Sequence, residues 1–190
     1  MDAERDLNIV VVGMDMDYVE RVSKMLAEQF DMYYLDSTEL YRFDIQPYTL
    51  SYVLKKMGME YFREQQSGTM KYVSSFSNTV ITVESGALMY QKNLDMLTKD
   101  ALIVYIRMDE HTLNKRLQKR DYFSREEYNF FCLNKREIIT RDDVLANIAE
   151  VCVDASELTE SQCLEALTEE IKKYYGVMWW EKLKRKLLII

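Results

Sequence analysis

The segment GMDMDYVE, Gly13 to Glu20, stands between a β-rich run, NIVVV (8–12), and a helical pattern, the position from which a chain grips phosphate. A phosphate loop of the form G-x-x-x-x-G-K-[ST] works through its glycines, which let backbone N–H groups curl around phosphate oxygens. Its lysine neutralises the β/γ charge and its hydroxyl holds Mg²⁺. Gly13 supplies the first glycine, but counting onward puts Tyr18 at the second glycine, Val19 at the lysine and Glu20 at the hydroxyl. Tyrosine resists the backbone conformations that glycine permits. Asp15, Asp17 and Glu20 would stand beside a polyphosphate and repel it. Lys24 lies five residues past the required position and does not substitute. These residue types predict a strand–turn–helix with an acidic start, Asp17 capping with Glu20, in place of an ATP cradle. Other chemistry is sparse. The single histidine, His111, follows MDE at a helix start, reads as solvated, and supports no Ser/His/Asp or Cys/His constellation. Cys132, Cys152 and Cys163 form no C-x-x-C pair, which fits buried thiols in a reduced, cytoplasmic protein rather than a disulfide framework or a zinc site.

The elements that must position these residues read as α/β. Short apolar runs at 8–12, 32–36 (MYYLD), 79–83 (TVITV), 102–106 (LIVYI) and, more weakly, 151–153 (VCV) are rich in β-branched and aromatic residues and do not alternate with polar ones. Runs of that kind belong to strands covered on both faces, as in a parallel sheet. Between them, Val19, Val22, Met25, Leu26 and Phe30 recur at helical spacing, and further helices are predicted at 48–64, 87–97, 109–120, 124–137, 142–149 and 161–175. Strand–helix alternation predicts a three-layer α/β fold. The 190 residues suffice for one domain with an appendage, and one proline with five glycines leaves little room for long flexible linkers.

The formal net charge of −7 gives no basic face for nucleic acid. No stretch reaches the roughly 18 apolar residues of a membrane span, and the N-terminus does not read as a signal peptide. The C-terminus differs from the rest. VMWWEKLKRKLLII (177–190) carries four basic residues against one acid, leaving the remaining chain at −10. As a basic amphipathic helix it would either dock a membrane surface or a protein partner, or pack back on the acidic domain at 1–176 and shelter Trp179 and Trp180.

The order of these segments resembles the shikimate kinases, small P-loop enzymes. The opening segment aligns without a gap as far as Leu26 and Ala27. YYLDSTELY sits where the family has a strand ending in D-x-D, and GMEYFREQQ resembles G-E-x-x-F-R-x-x-E through Gly58, Phe62 and Arg63. VITVESGALMYQKNLDML resembles the strand leading into a Gly-Gly-Gly loop, with Asn93 and Leu97 in place, and LNKRL resembles L-x-x-R-L. RDDVLANIAEVCVDAS keeps Arg141, Ala149, Val153 and Asp154 in register. The resemblance implies a P-loop kinase architecture with a five-stranded parallel sheet in the order 2-3-1-4-5. It also implies a substrate-carboxylate clamp at Arg63 and Arg141 beside Thr38 and Gly86, and nucleotide or Mg²⁺ contacts at Gly13 and Asp36. The bland alternatives are that Asp36 caps a turn and that each arginine sits in a surface ion pair. Arg116, Arg120 and Arg125 are candidates for a lid arginine, with Arg120 preferred.

Departures from the family pattern fall where the chemistry is. Thr38 replaces the second Asp of D-x-D, Gln66 replaces the acid after F-R, and Glu84, Ser85 and Gly86 replace the glycine loop. The expectation is a degenerate shikimate kinase-like protein, a pseudokinase without a cofactor, that binds a small carboxylate or phosphate or acts as an interaction module. The alternatives are a working kinase of shikimate or a relative using Mg-ATP, and a scaffold that docks through 177–190. Two arginines held close repel unless an anion lies between them, and Glu84 is the internal candidate for that anion.

Overall fold

The structure, a computed structural model, describes residues 8–99, 101–119 and 134–176. Five parallel strands form one sheet in the order β2-β3-β1-β4-β5: β1 (Asn8–Gly13), β2 (Tyr33–Asp36), β3 (Thr79–Glu84), β4 (Ala101–Arg107) and β5 (Val151–Asp154). Every residue of β1 and β3 is buried, which explains why their sequences are continuous rather than alternating: helices cover both faces. In register, Val10 sits between Ile81 and Ile103, and Val12 between Val83 and Tyr105. Helix α1 (Met16–Phe30) packs on α8 (Glu160–Tyr175), and α4 (Gly58–Val73) packs on α5 (Gln91–Thr98). The remaining helices are α2 (Ser37–Asp44), α3 (Leu50–Tyr52), α6 (Glu110–Leu117) and α7 (Lys135–Ile148).

Several predicted boundaries move, each for a local reason. The capping aspartate of α1 is Asp15 rather than Asp17, because the helix starts at Met16 and the Asp15 side chain accepts from the Tyr18 N–H. Helix α2, absent from the sequence reading, follows β2 without a loop because the Asp36 carboxylate caps it. The helix predicted at 48–64 runs from Leu50 through a π-helical turn (Val53–Met57) and continues past a break at Gly58 to Val73. Positions 135–148 form one helix, opened by an Asn134–Glu137 capping box, where two were expected. Cys163 is buried but Cys152 is exposed. Arg120, Arg125, Cys132 and the whole of 177–190 lie outside the described residues. No described helix is long and apolar enough to cross a membrane.

Beside the main core lies a satellite of Tyr41, Ile45, Leu50, Val53 and Phe62, in which the Tyr41 and Phe62 rings meet edge to face at 4.9 Å. It holds α2 and the start of α4 together. The buried Tyr41 hydroxyl has no hydrogen-bond partner among the described residues, and burial pushes its phenol up to about 12. An unmet buried hydroxyl costs stability, so Tyr41→Phe should raise the unfolding free energy by about 1 kcal/mol in urea titrations. A loss of similar size would show that the hydroxyl is bonded.

Candidate functional site

At the end of β1 the backbone does not form a cradle. Helix α1 begins three residues before Val19, so the Val19 N–H is committed to the Asp15 carbonyl at 3.0 Å. The Tyr18 N–H faces the Asp15 carboxylate at 3.4 Å. Val19 is buried against Gly13, where a Cβ would come within 2.6 Å of Val19 Cγ2 and 2.8 Å of the Ile106 carbonyl. Glycine is kept here by close packing. The Tyr18 ring turns inward, its hydroxyl 3.0 Å from the Leu158 carbonyl and 3.1 Å from that of Thr159, and burial pushes the phenol well up. Arg116 lies over this ring with Cζ 4.5 Å from the centroid, and its Nη1 is 3.6 Å from Asp15 Oδ2. The positive helix end that would attract phosphate therefore already holds a carboxylate. Glu20 pairs with Lys24 on the surface at 2.6 Å. Against the pattern that grips Mg-ATP, the lysine position is an apolar contact and the Tyr18 and Val19 N–H groups are both turned to Asp15.

Asp36, at the end of β2, is buried and accepts the N–H of Thr38 at 2.7 Å and of Glu39 at 3.2 Å. Burial pushes its carboxyl up, those two N–H groups oppose the shift, and Glu20 and Glu39 add to it. Among the described residues no group of three acids, histidines or cysteines is arranged to hold a metal ion. Asp36 does the work of a helix cap, and neither it nor Thr38 bonds to the arginines below.

Arg63 and Arg141 are brought together by β3. Arg63 projects from α4, Arg141 from α7, and between them the Glu84 side chain folds inward from the strand end. Arg63 Nη1 donates to Glu84 Oε2 at 2.8 Å, and Arg141 Nη1 donates to Glu84 Oε1 at 3.0 Å and to Ser85 Oγ at 2.8 Å. The two nitrogens thus sit within roughly 8 Å of each other on one carboxylate. The Gly86 N–H completes the set, 2.7 Å from Oε1, while Gln66 bridges to Arg63 at 2.6 Å. A Cβ at Gly86 would press on Arg63 and come 2.7 Å from Glu84 Oε1, so a larger residue there would have to displace the ends of both charged side chains. Burial alone would push the Glu84 carboxyl up; Arg63, Arg141 and the Gly86 N–H more than offset it and hold it below its ordinary value. Arg63 is also stacked, its Cζ 4.9 Å from the Phe62 ring and 5.6 Å from the Tyr90 ring. Sequence reasoning had no signal for the Tyr18–Arg116 stack, whose partners are far apart in the chain, or for Tyr90 as a wall.

Removing one member of a buried ionic cluster leaves the others uncompensated. Glu84→Ala should therefore destabilise the fold by about 3–5 kcal/mol in denaturant titrations. Because the folded-state value of Glu84 is depressed, its contribution is present above the ordinary carboxylate range and is lost as pH falls through the folded value. Wild-type stability should drop in acid by more than that of Glu84→Gln. Parallel pH profiles would show the carboxylate to be energetically idle.

The sequence model described as "Shikimate kinase" matches residues 20–172. Among curated proteins, a shikimate kinase of Clostridium botulinum (strain ATCC 19397 / Type A) is 27% identical over 118 residues, covering 62% of this chain and 69% of its own. One from Psychrobacter sp. (strain PRwf-1) is 24% identical over 159 residues, covering 81% and 86%. Among solved structures, shikimate kinase from Acinetobacter baumannii in complex with shikimate superposes with a TM-score of 0.73 at 19% identity, over 88% of this chain and 94% of that one. The enzyme from Aquifex aeolicus also gives 0.73, at 16% identity, over 89% and 98%. The strand order is the one expected of that fold. By the extent of the sequence match, and with a sheet and helices in agreement, the chain belongs to the shikimate kinase family.

Proposed function

We propose that this chain is a pseudokinase of the family, impaired in phosphoryl transfer and acting through interaction with other molecules. The observation that carries the reading is Glu84, whose carboxylate lies between Arg63 and Arg141 and takes the place an acidic ligand would need. Asp15, just past the end of the neighbouring strand β1, supports it, lying near Arg116 at the start of α1. Phosphoryl transfer depends on positioning and charge stabilisation by parts that act together, and here the lysine and hydroxyl of the loop are Val19 and Glu20. In this reading the protein uses no cofactor, works in the cytoplasm, and accepts a small carboxylate or phosphate only if Glu84 withdraws. A protein partner or membrane surface engaged through 177–190 remains part of the same proposal.

Calorimetry at millimolar Mg-ATP, with and without shikimate, should show no saturable binding, and a coupled assay should show no turnover. A micromolar dissociation constant, or ATP-dependent phosphorylation of shikimate, would establish the working-kinase alternative instead. Val19→Lys alone should stay inactive, because Tyr18 and Glu20 still shape the loop. Glu84→Ala should increase affinity for small carboxylates about tenfold or more by NMR titration, through charge-assisted forks to the freed arginines. Adding Arg63→Ala should abolish the gain. Unchanged affinity in folded Glu84→Ala would mean that the carboxylate does not close the pocket.

A further inference from the structure

Exposed large apolar side chains are concentrated outside the satellite core. Phe43, Tyr48, Tyr52, Met59 and Tyr61 fall within 19 residues and are 39–70% exposed. Tyr48 and Tyr52 stack face to face at 4.9 Å with 12° between their planes, so each covers one face of the other and the pair stands as a single apolar unit. Tyr52, Lys55, Lys56 and Met59 are all exposed along the following stretch, on either side of the break at Gly58. The inner side chains of the same stretch are already used by the satellite core, so none of these five is needed to hold it together. Together they leave on the order of 500 Å² of mostly apolar surface, the upper part of the range for the largest patch on an ordinary monomer.

Charge says what can cover it. The chain carries −7, so two copies repel over most approaches. Residues 37–62 are the exception: Glu39, Asp44 and Glu60 are matched by Arg42, Lys55 and Lys56. An apolar centre with both signs of charge around it is self-complementary, since a twofold axis can set lysines of one copy against acids of the other. Pairing two such faces removes on the order of 1,000 Å² of apolar surface, and the charged rim brings the total to the roughly 1,200 Å² of a stable interface. We propose that this face, carried by α2, α3 and the start of α4, is a homodimer interface. The proposal deepens the reading of the chain as an interaction module, but its test does not depend on whether nucleotide binds.

Sedimentation velocity and light scattering on the full chain, from about 1 to 100 µM, a range that brackets transient and stable association, should give twice the chain mass at the upper end. Phe43→Glu with Tyr52→Glu should shift the protein to monomer across that range while far-UV circular dichroism stays unchanged and the thermal midpoint matches that of the dilute, monomeric wild type. Tyr33→Glu, on the exposed edge strand β2, should leave the dimer intact. A monomeric wild type at 100 µM, a dimer that survives the Phe43/Tyr52 changes, or one lost only through Tyr33 would each overturn the proposal. Because an isologous contact uses each residue twice, even Tyr52→Glu alone should weaken association about a hundredfold or more.

Discussion

The carboxylate of Glu84 is the point on which three elements converge. It stands at the end of β3, in the sheet, and receives Arg63 from α4 and Arg141 from α7. Full burial of a carboxylate is costly unless its lone pairs are met and its charge is balanced. Here two guanidinium donors and the Gly86 N–H meet both oxygens. The surrounding polar groups are drawn into the same order: Gln66 holds Arg63, and Ser67 donates to Asn93, whose amide donates to the Ala87 carbonyl. The short helical turn Ser85–Met89 is thereby fixed against α4 and α5, and the satellite core is tied through Phe62 and Arg63 to the sheet.

The same physical solution recurs at the end of β1. A helix N-terminus attracts negative charge, and a loop lying open to phosphate leaves that attraction for the ligand. Starting α1 at Met16 converts the loop into helix and brings Asp15 into the cap, where Arg116 lies close by. Val19 then packs where a lysine would have to extend, and Tyr18 fills the gap towards α8. At the ends of both neighbouring strands, β1 and β3, a carboxylate of the chain itself lies against arginine. Asp15 lies near one arginine and Glu84 pairs with two, so each carboxylate already engages cationic side chains of the chain.

The sheet was legible in the sequence because its strands are buried on both faces, and an uninterrupted β-branched run has few other interpretations. Helix α2 was not, since a polar stretch such as DSTEL (36–40) after a short strand is equally a turn. Only the bonds from Thr38 and Glu39 to Asp36 decide between them. The identity of the α1 cap was misjudged for a related reason: Asp15 and Asp17 are equally good acceptors, and the choice depends on where the chain leaves the strand. The inward turn of Glu84 could be anticipated once the resemblance placed Arg63 and Arg141 at one cavity, because two close arginines demand an anion. The stack of Arg116 on Tyr18 could not, as it depends on α6 and α1 meeting across the sheet edge.

A pair of arginines in a pocket is commonly taken to signify a ligand, but in this fold they have a sufficient structural occupation. Two cations against one carboxylate leave the cluster with a residual positive charge, and the electron-rich ring faces of Phe62 and Tyr90 supply part of the compensation for Arg63. Once Glu84 is inside, deleting either arginine strands a buried charge, and deleting Glu84 sets two cations against each other. The cluster is thus held by the cost of dismantling it in single steps, even though a fully apolar replacement of all three could be equally stable. The ion pairs with Glu84 thus give both Arg63 and Arg141 a structural role in the folded chain.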